Sequence, residues 1–431
     1  MIAYTDAAPV LAHGIGGRQD LPIPLSYLLA GAALAVVISF VTLSVMWRSA
    51  RFQTEAGRPI AASAQRLADH RVTRATLRLF GLVFAVATFA AAAFGPSEGS
   101  NPAPWTIFVI FWVGLVPLSL LFGPVWKLFN PLRTVYRGIA RLSGGTPLLR
   151  LSPRIGYWPA AAGLFAFTWL ELVAPNPDAG VALIVWFAIY ATVMLVAAAL
   201  YGEAWFDRGD AFEVYSGLIG RLAPLGRGHD GRLVLRNPFN GLAATPEGPG
   251  LVAVVCVMLG STAYDGFSRT VFWVNAQQSG PLPRTLSGTL GLAAFVLFVA
   301  VTYRAATGRA DPVTLAHSLI PIAIGYLIAH YFTLLLFGGQ QTAIIWSDPF
   351  DTGANLFGTG NLTVDYELLG VTAIALIRAG AVVAGHIGGV FAAHDRAVAV
   401  LPRERAIGGQ LPLLVLMVGY TVGGLGLLFA D

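Results

Sequence analysis

The sequence is poor in charged residues and in cysteine. Only 11% of its 431 residues are charged and 56% are hydrophobic, whereas soluble domains carry about 25% charged residues. This balance excludes an ordinary soluble protein and indicates a polytopic membrane protein. The single cysteine, Cys256, lies inside an apolar run, which excludes an intrachain disulfide and a thiolate cluster.

Common catalytic and cofactor motifs are also missing. The chain contains no G-x-S-x-G elbow, no P-loop, no dinucleotide fingerprint, and no H-E-x-x-H or E-x-x-H metal pattern. We therefore predict no cofactor and leave enzymatic activity open at this point. The net charge of +5 does not indicate nucleic acid, because the basic residues lie in short loops between apolar runs. The predicted partners are membrane lipid and a small-molecule or ion substrate, with protein subunits left open.

Ten hydrophobic segments each approach the 20 or so residues that a helix needs to cross a bilayer. They predict an all-α fold, a polytopic transmembrane helix bundle. The predicted spans are 25–47, 77–95, 105–126, 157–174, 181–203, 250–268, 287–303, 314–337, 366–394 and 410–430. The predicted division is a periplasmic N-terminal tail at 1–24, spans one to five at 25–203, a cytoplasmic segment at 204–248, and spans six to ten with a polar outer pocket at 249–431.

The distribution of positive charge predicts the orientation of the bundle. Of the 27 Lys and Arg residues, 23 fall on every second connection and therefore on one side. By the positive-inside rule that side is the cytoplasm, so both termini are predicted to lie outside. The N-terminus lacks the basic start and apolar core of a standard signal peptide. The alternative is a start further upstream, with processing close to His13.

Two features stand out between spans three and six. Residues 211–223 have the pattern of an amphipathic helix lying in the headgroup plane. The stretches that begin at Leu121 and Leu200 also resemble each other at an offset of 79 residues. They predict a parallel repeat of two spans plus an elbow, with chance similarity as the alternative. The matched pairs are Gly123 with Gly202, Trp126 with Trp205, and Tyr136 with Tyr215.

Four ionisable residues lie deep within predicted spans: Glu171, Asp265, His330 and Arg378. At about 1.5 Å per helical residue, all four lie roughly 21–24 Å above the inner boundary. A charge at that depth costs several kcal/mol unless it is paired. Arg378 is therefore expected to bond an acid, with Asp265 first and Glu171 second, or backbone carbonyls. The four residues would line a pocket open to the outside, and the alternative is a structural ion pair.

Further polar residues join this candidate site. The loop at 338–365 contains Asp348 and, at about 28 residues, exceeds a simple connection, which indicates a lid or binding loop. His386 lies within span nine, about 12 Å along the helix axis from His394, too far for both to bind one metal ion. His394 and its two neighbours are interpreted as a solvated face. Catalytic and metal-binding residues are not assigned, and a metal site built from different spans stays an alternative. The residues predicted to bind substrate are Glu171, Asp265, His330, Arg378, His386 and Asp348.

Several motifs carry a family resemblance over most of the chain. They are AHGIGGRQDLP at 12–22, STAYDGFS at 261–268, AHYFTLLL at 329–336, SDPFDTGANLFGT at 347–359 and GHIGGVFAAHDRA at 385–397. They resemble bacterial multi-spanning membrane proteins commonly labelled fenitrothion hydrolase. The resemblance implies hydrolysis of an organophosphate triester and a place in the bacterial cytoplasmic (inner) membrane. It supplies no catalytic residues.

These observations favour a membrane protein whose outward-facing polar pocket binds or transports a small molecule or ion. The first alternative is a membrane-embedded hydrolase, in which His330 or His386 acts as base or metal ligand and Asp265 as its partner. The second alternative is a subunit of a larger membrane complex.

Overall fold

The structure is a computed structural model that describes residues 20–52, 57–97, 99–142, 144, 146–308, 310–401 and 408–429. Most of the predicted tail at 1–24, including the processing point near His13, lies outside these residues. Ten hydrophobic helices form the bundle. They are α1 Leu25–Met46, α2 Arg71–Phe94, α3 Pro102–Phe122, α4 Trp158–Leu172, α5 Gly180–Tyr201, α6 Leu251–Ser268, α7 Arg284–Ala306, α8 Pro312–Ile345, α9 Val371–Val400 and α10 Gly408–Leu428.

The predicted all-α bundle is confirmed, and all ten predicted hydrophobic segments form helices. Nine helices of the described chain are long and apolar enough to cross a membrane. The tenth, α4, has 15 residues, or about 22 Å, which is shorter than a hydrocarbon core of about 30 Å. Its first turn lies against the start of α6, since Tyr157 donates its backbone N–H to the carbonyl of Pro249 at 2.7 Å.

Strands of the described chain are confined to one small antiparallel sheet beside the helices. Its strands are β1 Arg58–Pro59, β2 Leu225–Arg227 and β3 Leu233–Leu235, in the order β1-β3-β2. The sheet joins the segment before α2 to the segment before α6. It therefore ties together two connections on the side predicted to be cytoplasmic.

The helices divide into a central pair and an outer ring. In their most apolar stretches, 72% of the residues of α6 and 78% of those of α8 are buried inside the protein. The same fraction is 22% in α1, α2 and α5 and 17% in α7. Apolar side chains exposed on the outer helices are stable only in contact with lipid. The chain is therefore a multi-pass integral membrane protein whose core lies around α6 and α8.

Glycines bring α8 and α9 into backbone contact. A Cβ atom on Gly325 would lie 2.4 Å from the carbonyl oxygen of Ala381 and 2.9 Å from Cα of Gly385. A Cβ on Gly389 would lie 2.8 Å from the carbonyl oxygen of Ser318. Small residues permit this approach in membrane helices. The glycines of α9 therefore place its backbone directly against that of α8.

Two π-helical segments interrupt α3 and α8 and touch each other. They cover Thr106–Val113 in α3 and Leu334–Gly338 in α8. Gly338 allows the contact, because a Cβ there would lie 3.3 Å from the side chain of Val109. Segments with this i to i+5 pairing are rare and are often found at functional sites.

The two similar stretches begin with the same local structure. Helix α3 ends at Gly123, with φ of 83°, and α5 ends at Gly202, with φ of 79°. Glycine adopts this left-handed conformation without the Cβ penalty, and it ends both helices. Each stretch then contains a short helix, which we call the first elbow helix (Pro131–Leu142) and the second elbow helix (Ala211–Ile219). Superposition of the two complete span pairs stays a prediction.

The second elbow helix forms where an amphipathic helix was predicted, but its predicted position in the headgroup plane is wrong. Eight of its nine residues are buried. Tyr215 stacks on Trp112 of α3, with ring centroids 4.6 Å apart, and Phe212 packs among aromatic rings of α3, α4 and α5. Glu213 and Ser216 on this helix hydrogen-bond to other protein side chains. The first elbow helix, in contrast, keeps an exposed face.

Candidate functional site

Asp265 and His330, two of the predicted site residues, meet between the central helices α6 and α8. Oδ2 of Asp265 lies 2.8 Å from Nε2 of His330, and Nε of Arg269 donates to Oδ1 at 2.9 Å. Asp265 is 1% exposed and His330 7%. A buried carboxylate is tolerated here because an arginine one helical turn away and a histidine share its charge. We call Asp265, Arg269 and His330 the outer charge cluster.

Aromatic side chains enclose this cluster. The ring of Tyr331 stands perpendicular to that of His330 at 4.8 Å, and the ring of Tyr326 lies 6.0 Å away. A Cβ on Gly266 would lie 3.2 Å from the Tyr326 hydroxyl, so glycine leaves the space that the tyrosine fills. The described residues pack closely around the Asp265–His330 pair, whereas the sequence predicted a pocket open to the outside.

Glu171, in the last turn of α4, lies near the outer charge cluster without bonding to it. It is within electrostatic range of Asp265 and Arg269, and Trp112 and Tyr215 are its polar neighbours. Within the described part of the chain, Oε2 of Glu171, the indole N–H of Trp112 and the hydroxyl of Tyr215 are buried and make no hydrogen bond of ordinary geometry, although the indole N–H of Trp112 interacts with the Glu171 carboxylate. Such groups are uncommon in native structures, and one explanation is a functional role.

Arg378 reaches backbone carbonyls. Its Nε donates to the carbonyl oxygen of Ala329 at 3.0 Å, and a terminal guanidinium nitrogen donates to that of Leu428 at 3.3 Å. Its guanidinium also lies 5.5 Å from the ring of Phe429. The residue therefore joins α9 to α8 and to the end of α10.

The predicted pairing of Arg378 with Asp265 or Glu171 is wrong, and the predicted carbonyl option is confirmed. Asp265 is bonded by Arg269 and His330 instead. The carbonyl oxygens in the last turn of α10 accept no hydrogen bond from within the helix, so they attract a cation. Bonding to them also avoids the free-energy cost of burying a second charged side chain. Among the described acids, Asp20 lies within electrostatic range of Arg378.

His386 is held within its own helix. One ring nitrogen, Nδ1, lies 2.8 Å from the carbonyl oxygen of Val382, and the residue is 1% exposed. No contact among the described residues joins it to Asp265 or His330. The described residues also contain no group of three or more His, Cys, Asp or Glu side chains that could hold a metal ion. A substrate-binding role for His386 stays a prediction.

Asp348 closes a turn of its own loop. Its carboxylate accepts the backbone N–H groups of Thr352 at 2.9 Å and Gly353 at 2.7 Å. These hydrogen bonds, that from Thr352 first, lower the pKa of the Asp348 carboxyl. This is a structural contact within the loop at 338–365, and a substrate-binding role for Asp348 stays a prediction.

The interpretation of His394 and Asp395 as a solvated face is wrong. They are 2% and 5% exposed. The carboxylate of Asp395 accepts the indole N–H of Trp47 at 2.9 Å and the backbone N–H of Arg51 at 2.6 Å. Nε2 of His394 lies 3.0 Å from the carbonyl oxygen of Trp47. The pair thus fastens the segment after α1 to the end of α9.

A second set of buried charges, which the sequence did not predict, surrounds Arg133 on the first elbow helix. Arg133 is 2% exposed and forms a two-point contact with Glu213 of the second elbow helix, at 3.0 and 2.6 Å. Its remaining donors reach Glu203 at 2.6 Å and Asp207 at 2.9 Å. Two-point arginine–carboxylate contacts are among the strongest hydrogen bonds in proteins. We call the whole set the inner charge network: Asn130, Arg133, Glu203, Asp207, Asp210 and Glu213.

The acids of this network differ in their affinity for protons. Burial raises the pKa of Glu213 to about 7 against the opposing effect of Arg133. Burial likewise raises the pKa of Asp210. Burial also acts on Glu203, but hydrogen bonds from Arg137 and Arg133 outweigh it and lower the pKa of that carboxyl. Burial thus favours the protonated form of Glu213 and Asp210, whereas hydrogen bonds from arginine favour the charged form of Glu203.

The repeat contained a usable signal for the inner charge network. Asn130 donates to Asp210 at 3.1 Å and Arg133 bonds Glu213, and in both pairs the partners are 80 residues apart. These are nearly equivalent positions of the two similar stretches. When the two stretches are aligned, the arginine of the first falls within one position of the glutamate of the second. This opposite charge at nearly matching positions was a signal for a contact between the two stretches.

Comparison of the chain with models of known protein families, with curated proteins and with solved structures finds no match. The class of the protein therefore rests on its own fold. It is a multi-pass α-helical membrane protein whose buried charged residues include those of the outer charge cluster and the inner charge network.

Proposed function

We propose that this protein binds and transports a small molecule or ion and that the outer charge cluster is its binding site. The first candidate ion is the proton. The observation that carries the proposal is a file of buried polar side chains between the outer charge cluster and the inner charge network. Ionisable residues inside membrane proteins are costly and commonly mark ion paths and proton relays. We also propose the bacterial cytoplasmic membrane as its location, from the positive-inside distribution.

The outer part of the file begins at the Asp265–His330 bond. The imidazole of His330 and the carboxylate of Asp265 are in direct contact, and each has an atom that can hold a proton. Glu171 follows, within electrostatic range of Asp265. Its Oε2 atom, which is buried and makes no hydrogen bond of ordinary geometry among the described residues, is a site that a proton can occupy. Tyr215 is the next polar side chain, also buried and beside Glu171.

The inner part of the file runs along the second elbow helix. Ser216, next to Tyr215, lies 2.8 Å from Ser119 of α3, hydroxyl to hydroxyl. Glu213, one turn earlier, belongs to the inner charge network and has a pKa of about 7. The same buried helix thus contacts the region of Glu171 on one side and Arg133 on the other. This is the reason for placing the path through this helix.

The proton itself is the first probe. The full chain would be reconstituted into liposomes containing a pH-sensitive dye, and a potassium diffusion potential would drive protons inward. We expect faster acidification than in protein-free liposomes. Asp265→Asn and Glu171→Gln should each reduce the rate at least tenfold, since each removes a group that can carry a proton at a buried position.

Arg304→Gln is the matched control, because Arg304 lies on the outer ring and, among the described residues, its guanidinium bonds only to the nearby carbonyl of Gly308. It should retain the wild-type rate. A wild-type rate equal to that of empty liposomes would refute proton transport. An unchanged rate in both Asp265→Asn and Glu171→Gln would refute the path even if transport were seen.

The second candidate is the hydrolase implied by the family resemblance. The 2.8 Å contact between Asp265 and His330 favours it, because a carboxylate that orients an imidazole is a common general-base arrangement. The test is release of the aryl alcohol from an aryl dialkyl phosphate by the purified protein, with His330→Gln as the variant. Product release that is equal in the wild type and the variant would exclude His330 as base.

A further inference from the structure

A cleft rich in arginine lies beside the inner charge network. It has a volume of about 510 Å³, within the range of about 300–1,000 Å³ typical of ligand pockets. It opens between the first two turns of α2, the first elbow helix and the end of α5. Its lining includes Arg78, Arg137, Arg141 and Glu203. We call it the arginine cleft.

The charges of the arginine cleft do not balance. Three arginines line it against one acid, Glu203, which is already bonded by Arg137 and Arg133. Arg78 is within electrostatic range of both Arg137 and Arg141. Three guanidinium groups that face one space repel each other unless an anion lies between them.

Arg78 gives a second, independent indication. Its Nε atom is buried and has no hydrogen-bond partner among the described residues. A guanidinium nitrogen at the edge of a protein surface normally has water or an acceptor within reach, and a buried donor without one is costly. An anion with several acceptor oxygens in the cleft would bond the accessible terminal nitrogens of this guanidinium, whose fork phosphate matches.

The surroundings of the cleft favour a lipid as the source of the phosphate. On α2, Leu79 and Phe80 are each 59% exposed, and on the first elbow helix Leu142 is 93% exposed. These apolar side chains flank Arg78 and Arg141 in sequence and can only be stable against acyl chains. The cleft is therefore at the level where the hydrocarbon core meets the headgroups, on the side that carries most of the basic residues.

We propose that the arginine cleft binds the phosphate group of an anionic phospholipid from the cytoplasmic leaflet. Basic pockets between membrane helices on that side bind anionic headgroups through the same chemistry. The lipid phosphate would contact Arg78 and Arg141, while Arg137 stays with Glu203. The site is distinct from the outer charge cluster, so it stands whether or not the protein transports protons.

Native mass spectrometry of the full chain in detergent tests this assignment. Phosphatidylglycerol, phosphatidylcholine with the same acyl chains, and inorganic phosphate would be titrated separately. We expect tight binding of phosphatidylglycerol only. Arg78→Gln and Arg141→Gln should each weaken it about fivefold, the factor that corresponds to one basic residue at an anionic surface. Because Arg141 is exposed, its variant should fold even if Arg78→Gln does not.

Arg304→Gln again provides the control. Among the described residues, Arg304 is the charged residue that lines a depression of about 580 Å³, and its guanidinium is already bonded at 2.9 Å. It should bind phosphatidylglycerol like the wild type. Equal binding of phosphatidylcholine, equal competition by inorganic phosphate, or equal weakening in the Arg304 and Arg141 variants would each overturn the proposal.

Discussion

Replacement of Arg133 by methionine should destabilise the protein by about 3–5 kcal/mol at pH 8, the range found when one partner of a buried ion pair is removed. Methionine keeps most of the side-chain volume, so the loss comes from electrostatics and hydrogen bonds. Glu213, 4% exposed, would lose its two-point contact and remain buried. Glu203 and Asp207, with side chains 41% and 45% exposed, can turn to water and contribute little.

The effect should depend on pH in a defined direction. The pKa of Glu213 rises from 4.5 to about 7 on folding, so the folded protein binds the proton more tightly than the unfolded chain. Stability from this group is therefore fully present below pH 4.5 and is lost as the pH rises through 7. Without Arg133 the pKa should rise further. The deficit of the variant should thus be small at pH 5 and largest above pH 8.

The free energy of unfolding would be measured by titration of the protein in mixed micelles with a denaturing detergent at pH 5 and pH 8. Arg232→Met is the matched control, because the Arg232–Asp230 pair is 3.4 Å long and its side chains are 69% and 59% exposed. It should change stability by about 0–1 kcal/mol. The double variant Arg133→Met with Glu213→Met should recover part of the loss. If Arg133→Met costs no more than Arg232→Met at pH 8, or costs the same at both pH values, the reasoning is refuted.

Three further outcomes are expected. Arg378→Ala should lower the free energy of unfolding by about 2–4 kcal/mol in the same assay, because two carbonyls lose a charged donor. Arg378→Lys should restore only part of this loss, since lysine lacks the planar fork. Equal stability of the wild type and both variants would contradict this prediction. Gly385→Ala should destabilise by about 1–3 kcal/mol, because its Cβ would lie 2.6 Å from a carbonyl oxygen of α8. Gly380→Ala on the same helix, with open space around it, should not. The thiol of Asp230→Cys should not react with impermeant thiol reagents added outside intact cells, because position 230 is predicted to be cytoplasmic. Cys256 should not react either, because it is buried. Ready labelling of the variant would reverse the predicted orientation.

The number and approximate positions of the helices were predictable from the lengths of the apolar segments in the sequence. Ten runs of about 20 apolar residues gave ten helices, because a helix satisfies its own backbone hydrogen bonds in lipid. Boundaries were less accurate where helices extend beyond the hydrocarbon core. Helix α2 was predicted from residue 77 but begins at Arg71, since its first turns carry arginines that a hydropathy argument excludes. Likewise α8 continues to Ile345, into what was predicted as a loop.

The sequence predicted those contacts of the site that depend only on how deep each residue lies in the membrane. Asp265 and His330 lie at matched depth on two central helices, and they pair. Depth does not give the direction in which a side chain points, and for that reason Arg378 was assigned to the wrong acceptors. The inner charge network was missed for a different reason. Arg133 and Glu213 stand in connecting segments, where charges are usually solvated, and only the burial of the second elbow helix removes them from water.

The glycine contact between α8 and α9 has a mechanical consequence. Because Gly325 and Gly385 place the two backbones against each other, and Arg378 links both helices to α10, these three helices should move as one rigid body. His330 belongs to that body, whereas Asp265 and Arg269 belong to α6. A hinge motion between this body and α6 would separate α6 from α8, and it would break the hydrogen bond between Asp265 and His330.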